Sequence, residues 1–156
     1  MSLTRVIRLV TPALLGSLLL VSAAEAQQSR GEAVVEYRQS LYEVLAWNFG
    51  PMGAMAQGKV PYNAAEFSRR AERVAMIAPL LTEAFPAESQ AVKRTDLKPE
   101  AWTNRADFDA KLKDLIDRSA ALAAAAKGGD FEKSKSAFFA TADTCKSCHD
   151  KYTVKD

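Results

Sequence analysis

Over about 130 residues, from Gln27 to Asp156, the apolar positions recur at intervals of three and four and nowhere alternate. A helix returns to one face every third or fourth residue and a strand every second, so a chain with only the first spacing folds as helices packed on one another. At 156 residues the chain is long enough for one domain and hardly two. Ala, Leu, Lys and Glu are abundant, which adds intrinsic helix preference. The 7 Gly and 6 Pro are too few for a collagen-like or low-complexity chain. A net charge of +2 lacks the basic excess that a nucleic-acid binder shows.

Four helices are predicted. The first runs from about Glu32 to Ala56, with Val34, Leu41, Leu45, Phe49, Met52 and Met55 on one face, Val35, Val44 and Trp47 facing outward, and Gly58-Lys59-Val60-Pro61 as its stop. Pro51 lies inside it, removing a backbone donor and crowding the carbonyl four residues earlier, so a kink is expected there. The second opens at Asn63-Ala64-Ala65-Glu66, a capping-box pattern, and carries Phe67, Ala71, Val74, Ala78, Leu81 and Phe85 as its stripe. After a polar connection from Pro86 to Pro99, a third starts near Thr103, turns Phe108, Leu112, Leu115, Ile116 and Leu122 inward, and ends at Gly128-Gly129. Asp130 caps the last, along which Phe131, Phe138, Cys145 and Tyr152 recur every seven residues. Four helices of about twenty residues, mostly with short connections, make an all-α, antiparallel four-helix bundle.

Residues 1–26 are set apart from this bundle. Arg5 and Arg8 form a positive start, Leu9 to Val21 is largely apolar, and Ala24-Glu25-Ala26 has the small-x-small cleavage pattern of a secretory signal peptide. The apolar stretch is shorter than the roughly 18 continuous residues of a spanning helix, so export with cleavage is expected rather than a membrane anchor. Residues 27–156 would then work in the periplasm. Without Arg5, Arg8 and Glu25 they hold 19 Lys+Arg against 18 Asp+Glu.

Chemistry is concentrated in Cys145-Lys146-Ser147-Cys148-His149, a C-x-x-C-H sequence, which is the attachment signature of c-type haem. Two thiols three residues apart on a helix project from one side and reach the two vinyl groups of one porphyrin, and the adjacent imidazole reaches the iron as axial ligand. A thioredoxin-like pair belongs at a helix N-terminus, where the dipole lowers a thiol pKa, and this pair lies near a C-terminus. A structural zinc site takes four Cys or His ligands and the chain has three. A plain disulfide leaves His149 unexplained.

With His149 on one side of the iron, the chain has no second histidine for the other. Met52, Met55 and Met76 are the methionines beyond the first residue, and core filling is the simpler role for all three. A five-coordinate iron would leave an open face for small gases. Arg38 interrupts the apolar face between Val34 and Leu41. A buried guanidinium needs a partner, and a haem propionate would serve bidentately; equally, its stem could lie on the bundle edge with the head in water.

The chain resembles the cytochrome c prime family, bacterial periplasmic four-helix bundles with C-x-x-C-H in the last helix. The likeness spans the mature region: Tyr37-Arg38-Gln39, Phe49-Gly50, Pro61-Tyr62, Pro99-Glu100-Ala101-Trp102 and Gly129-Asp130, besides the haem motif. It implies one covalent haem c per chain on Cys145 and Cys148, with His149 on the iron. It also implies propionate contacts from Arg38 and Gln39, with Asp96 approaching the same edge through backbone or water. Tyr42 falls at the distal position and Phe85 lines the pocket, so a cavity bounded by Arg38, Tyr42, Phe85 and Cys145 is expected. Related cytochromes of the c-556 type place a methionine of this helix on the iron; none occurs here between Glu32 and Pro51. Two departures stand out. Thr153 occupies a position where the family often has a basic residue, and Leu81 or Thr82 replaces an aromatic one.

Three functions are weighed. The first is a non-enzymatic haem protein that binds nitric oxide and carbon monoxide at a five-coordinate, high-spin iron, or transfers electrons. The second is a six-coordinate, low-spin electron carrier with a methionine sixth ligand, and the third a peroxidase, for which no distal histidine is present. The resemblance adds a homodimer formed through the first two helices; the redox partner is not defined by sequence.

Overall fold

The computed structural model describes residues 11–93 and 95–154, with side chains from residue 30 onward. Its elements are α1 (Thr11–Ala56), α2 (Ala64–Ile77), two short 3₁₀ segments (Ala78–Glu83 and Ala87–Ser89), α3 (Glu100–Thr103), α4 (Arg105–Lys127) and α5 (Phe131–Tyr152). The long helices pack in a closed order, α1 on α2, α2 on α4, α4 on α5 and α5 on α1, which makes a four-helix bundle. Among the described residues the extended pairing is a single antiparallel bridge, Leu97 to Thr153. No described helix is long and apolar enough to cross a membrane.

The first helix already runs from Thr11, the first described residue, rather than from near Glu32. The intervening segment is rich in Ala and Leu, so helix propensity carries the backbone on where the amphipathic pattern stops. The first ten residues of the predicted signal peptide lie outside the described residues, and the side chains of the rest of it are likewise undescribed. Val35, expected to face outward, is buried instead. At Gly31 α1 lies against the connection after α2: a Cβ there would sit 2.5 Å from the Glu88 carbonyl oxygen, so only glycine permits the approach.

α1 runs on through Pro51. The proline cannot donate to the Trp47 carbonyl four residues back. That carbonyl accepts instead from Arg70 Nη1 at 2.9 Å, while Glu66 Oε1 accepts from Arg70 Nε at 2.6 Å and fixes the guanidinium. An α2 side chain thus supplies the donor that the proline removes.

α2 begins as predicted, with Asn63 Oδ1 accepting from the Glu66 N–H at 2.9 Å. Its helix tightens to 3₁₀ from Ala78, where Pro79 has no N–H to give the carbonyl four residues back. The whole predicted stripe from Phe67 to Phe85 is buried regardless. The third predicted helix divides at Asn104 into α3 and α4. Gly129 adopts a φ of +70° and Asp130 Oδ1 accepts from the Lys133 N–H at 3.0 Å, which turns the chain into α5.

The core forms two clusters along the bundle. One holds Met52, Met55, Phe67, Val74, Leu122 and Phe138, with Phe49 stacked on Phe138 at 4.3 Å. The other holds Leu41, Leu81, Phe85, Phe108, Leu112 and Tyr152, its rings meeting edge to face at 4.8 Å (Phe85–Phe108) and 5.1 Å (Phe108–Tyr152). Leu45 touches both. Tyr42 and Cys148 pack against the second cluster, which places the C-x-x-C-H motif at that end.

Arg70→Met is expected to destabilise the chain by about 1 kcal/mol more in the Pro51 background than in a Pro51→Ala background, where residue 51 regains its donor to Trp47. Urea unfolding of the four chains checks this. Equal costs in the two backgrounds would separate Arg70 from the proline.

Candidate functional site

α5 carries Cys145, Cys148, His149 and Tyr152 within an arc of about 100° on the helical wheel. Cys145 and Cys148 are free and half-buried, and His149 is exposed. Burial pushes both thiols above their usual range. They are therefore held neutral, the opposite of what an exposed redox nucleophile requires. The two residues between them face away: Lys146 pairs with Asp150, and Ser147 Oγ accepts from Lys111 Nζ of α4 at 2.6 Å.

Facing them from α1 are Arg38 and Tyr42, one helical turn apart. The Tyr42 phenol is pushed up chiefly by burial and further by the nearness of Cys148 and Cys145, with Arg38 opposing. Arg38 is only 3% exposed, so the edge placement with its head in water does not occur. Its Nη1 donates to the Ala84 carbonyl at 3.0 Å and to Ser89 Oγ at 3.5 Å, its Nη2 donates to Thr95 Oγ1 at 3.3 Å, and its guanidinium lies 4.9 Å from the centre of the Phe85 ring. Every acceptor is neutral: among the described residues no carboxylate pairs with this cation, and burial lowers its pKa. Gln39 and Asp96 are exposed. The Asp96 carbonyl accepts from the Val154 N–H at 2.8 Å.

Beyond His149 the chain is tied down from several sides. Thr153, where a basic residue was expected, donates its hydroxyl to the His149 carbonyl at 2.7 Å. Lys151 Nζ donates to Asp107 Oδ2 at 2.9 Å, and the Tyr152 hydroxyl donates to the same oxygen at 2.6 Å. Asp107 is accordingly held below the usual carboxylate range, first by Tyr152 and then by Lys151, while burial and Asp107 push Tyr152 up to about 12.

Arg38, Tyr42, Phe85, Cys145 and Cys148 therefore converge on one end of the bundle, whereas the predicted cavity differs. A cleft of about 510 Å³ includes Phe85 but not Arg38, Tyr42 or Cys145, running instead along Thr82, Pro86, Trp102 and Arg105. Tyr42 packs into the second cluster instead of standing over open space. Met52 and Met55 fill the other cluster, about 15 and 20 Å along α1 from Tyr42 at 1.5 Å per residue. Met76, expected in the core, is 66% exposed, because the α2 stripe through Phe67, Ala71 and Val74 turns it outward. Ser89, Thr95 and Asp107 were not foreseen. The first two sit in an irregular connection without periodicity, and Asp107 lies in the first turn of α4, where an acidic residue is ordinary.

Haem c requires two thiols and an imidazole on one helix side, apolar cover for the macrocycle, and a cation for its carboxylates. The motif, the aromatic second cluster and a buried guanidinium with neutral acceptors among the described residues fit those needs. Fold and site together define a c-type cytochrome built on a helical bundle.

Residues 33–153 match the family described as Cytochrome C'. The cytochrome c' of Rubrivivax gelatinosus is 37% identical over 128 residues, 82% of this chain and 98% of that one. The structure of cytochrome c prime from Shewanella frigidimarina superposes with a TM-score of 0.77 at 42% identity, covering 80% of this chain and 97% of that one. A nitric oxide complex of a variant cytochrome c prime from Alcaligenes xylosoxidans gives 0.73 at 34%, covering 80% and 97%. The chain belongs to the cytochrome c prime family, whose members carry covalently attached haem c.

Proposed function

We propose that the chain is an exported periplasmic cytochrome, cleaved after residue 26, that binds nitric oxide and carbon monoxide at a five-coordinate haem c. The observation that carries this reading is the placement of Tyr42 and not a methionine opposite the cysteines, with Met52 and Met55 committed to the other cluster. The nitric oxide complex of the Alcaligenes relative supports the choice of ligand. Bound haem supplies an iron with one position open to a neutral diatomic gas.

The residues around it divide the work. Cys145 and Cys148 would hold the macrocycle by thioether bonds and His149 would ligate its iron. Arg38 neutralises a propionate, with Gln39 and the Asp96 segment at the same edge. Tyr42 and Phe85 supply bulk on the distal side. Tyr42 is a neutral phenol, its pKa raised by burial, so it acts as a steric lid and not as an anionic ligand. Peroxidase chemistry needs a distal acid–base group, and the chain's one histidine is already on the iron. The reading is therefore of a binding or electron-carrying protein.

The exposed Val44 and Trp47 of α1 are proposed to meet a second copy, with the exposed Met76 of α2 and Leu80 of the following 3₁₀ segment as further apolar candidates. Val35 is withdrawn from that patch by its burial. Sedimentation at micromolar concentration should show a dimer that Trp47→Glu dissociates; a monomer in the unsubstituted protein removes the proposal.

The reduced protein, matured with haem, should give a broad high-spin spectrum that sharpens with carbon monoxide and is unchanged by Met52→Leu or Met55→Leu. Split low-spin bands indifferent to carbon monoxide would mean a sixth protein ligand and overturn the reading.

Arg38→Met, which keeps the stem and removes the charge, should cost the haem-loaded protein about 2 kcal/mol more than the haem-free chain. Thermal unfolding of both forms measures the difference, and an equal cost in both would rule out Arg38 as the propionate partner.

A further inference from the structure

The exposed iron-ligand candidate stands close to a helix end. His149 lies in the last turn of α5, and terminal turns open first because their carbonyls lack partners within the helix. What keeps the imidazole in place must therefore come from the residues that follow it.

Those residues are tied to two other parts of the fold. The long connection holds the backbone: the Lys98 N–H donates to the Tyr152 carbonyl at 2.8 Å and the Val154 N–H to the Asp96 carbonyl at 2.8 Å. Such bonds can form with almost any side chains. The second tie depends on residue type. Tyr152 buries its ring edge-on to Phe108, and its hydroxyl and the Lys151 ammonium converge on one oxygen of Asp107 in α4, at 2.6 and 2.9 Å. The donors sit two and three residues after His149, and the acceptor sits on a separate long helix.

We propose that Asp107 is a positioning residue for His149, its carboxylate anchoring the last turn of α5 to α4 through Tyr152 and Lys151. This rests on the reading of His149 as the iron ligand. Asp107 also lies in the first turn of α4, where a carboxylate favours the helix dipole whatever it touches. Tyr152→Phe separates the two roles, since it keeps the ring and the Asp107 charge and removes the 2.6 Å bond to Asp107 with the longer 3.4 Å one to the Asn104 carbonyl.

The test uses the full haem-loaded chain as Tyr152→Phe, Asp107→Asn, the double variant, and Asp109→Asn as a control that loses the exposed pair with Arg105. Two readouts are taken: the iron–histidine stretching band of the reduced protein, and amide exchange at residues 149–152. Tyr152→Phe and Asp107→Asn should each shift or broaden the band and speed exchange in that turn roughly tenfold, with exchange around Phe67 and Phe138 unchanged. The double variant should go no further than either single one. An unchanged band in Tyr152→Phe, an equal change in Asp109→Asn, or faster exchange spread over the whole bundle would each overturn the proposal. Failure of the unsubstituted chain to take haem would instead overturn the proposed function. Exchange in the haem-free chain would then judge the anchor alone, and no acceleration confined to 149–152 would overturn that too.

Discussion

A guanidinium taken out of water without an acid beside it is the constraint around which this end of the bundle is organised. Arg38 is buried, and among the described residues its donors reach a carbonyl and two hydroxyls, from Ala84, Ser89 and Thr95. Neutral acceptors satisfy directionality and leave the charge uncompensated. Holding the charge in place takes a connection wrapped back over α1, which in turn needs Gly31 for its close approach to Glu88. An anionic edge of a bound macrocycle would complete the electrostatics that the protein alone leaves open.

The bundle separates mechanical and chemical duties along its length. At one end, Phe49, Phe67 and Phe138 pack with two methionines into an interior with no chemistry-bearing groups. At the other, Phe85, Phe108 and Tyr152 form an edge-to-face row running from beneath Arg38 to the last turn of α5. Aromatic rows are stiff and hold their neighbours by shape. The row joins the cation on α1 to the turn that follows His149, so the two sides of the candidate site rest on one continuous packed surface.

Much of the architecture was legible because one period governs it. The α2 stripe from Phe67 to Phe85, the α4 positions Phe108, Leu112 and Leu122, and the seven-residue recurrence from Phe131 to Tyr152 all proved inward or half-buried. Where the period gave no guidance, expectation and structure parted. Val35 turned inward, and Met76 turned outward because three better-placed residues took the core face. The division of α2 at Pro79 and of the third helix at Asn104 reflects local backbone chemistry that leaves the stripe undisturbed.

The sequence by itself determined the class of fold, the four helices and their caps at Asn63 and Asp130, and the motif that marks a covalent haem, because each is written in spacing along a single helix or turn. Only the tertiary structure decided which end of the bundle receives that motif, which methionines are kept from it, and what holds its last turn. Those outcomes depend on pairs far apart in the chain, Arg38 with Thr95, Arg70 with Trp47, Asp107 with Tyr152. No local periodicity encodes such pairs; they exist only once packed helices bring a donor on one within reach of an acceptor on another.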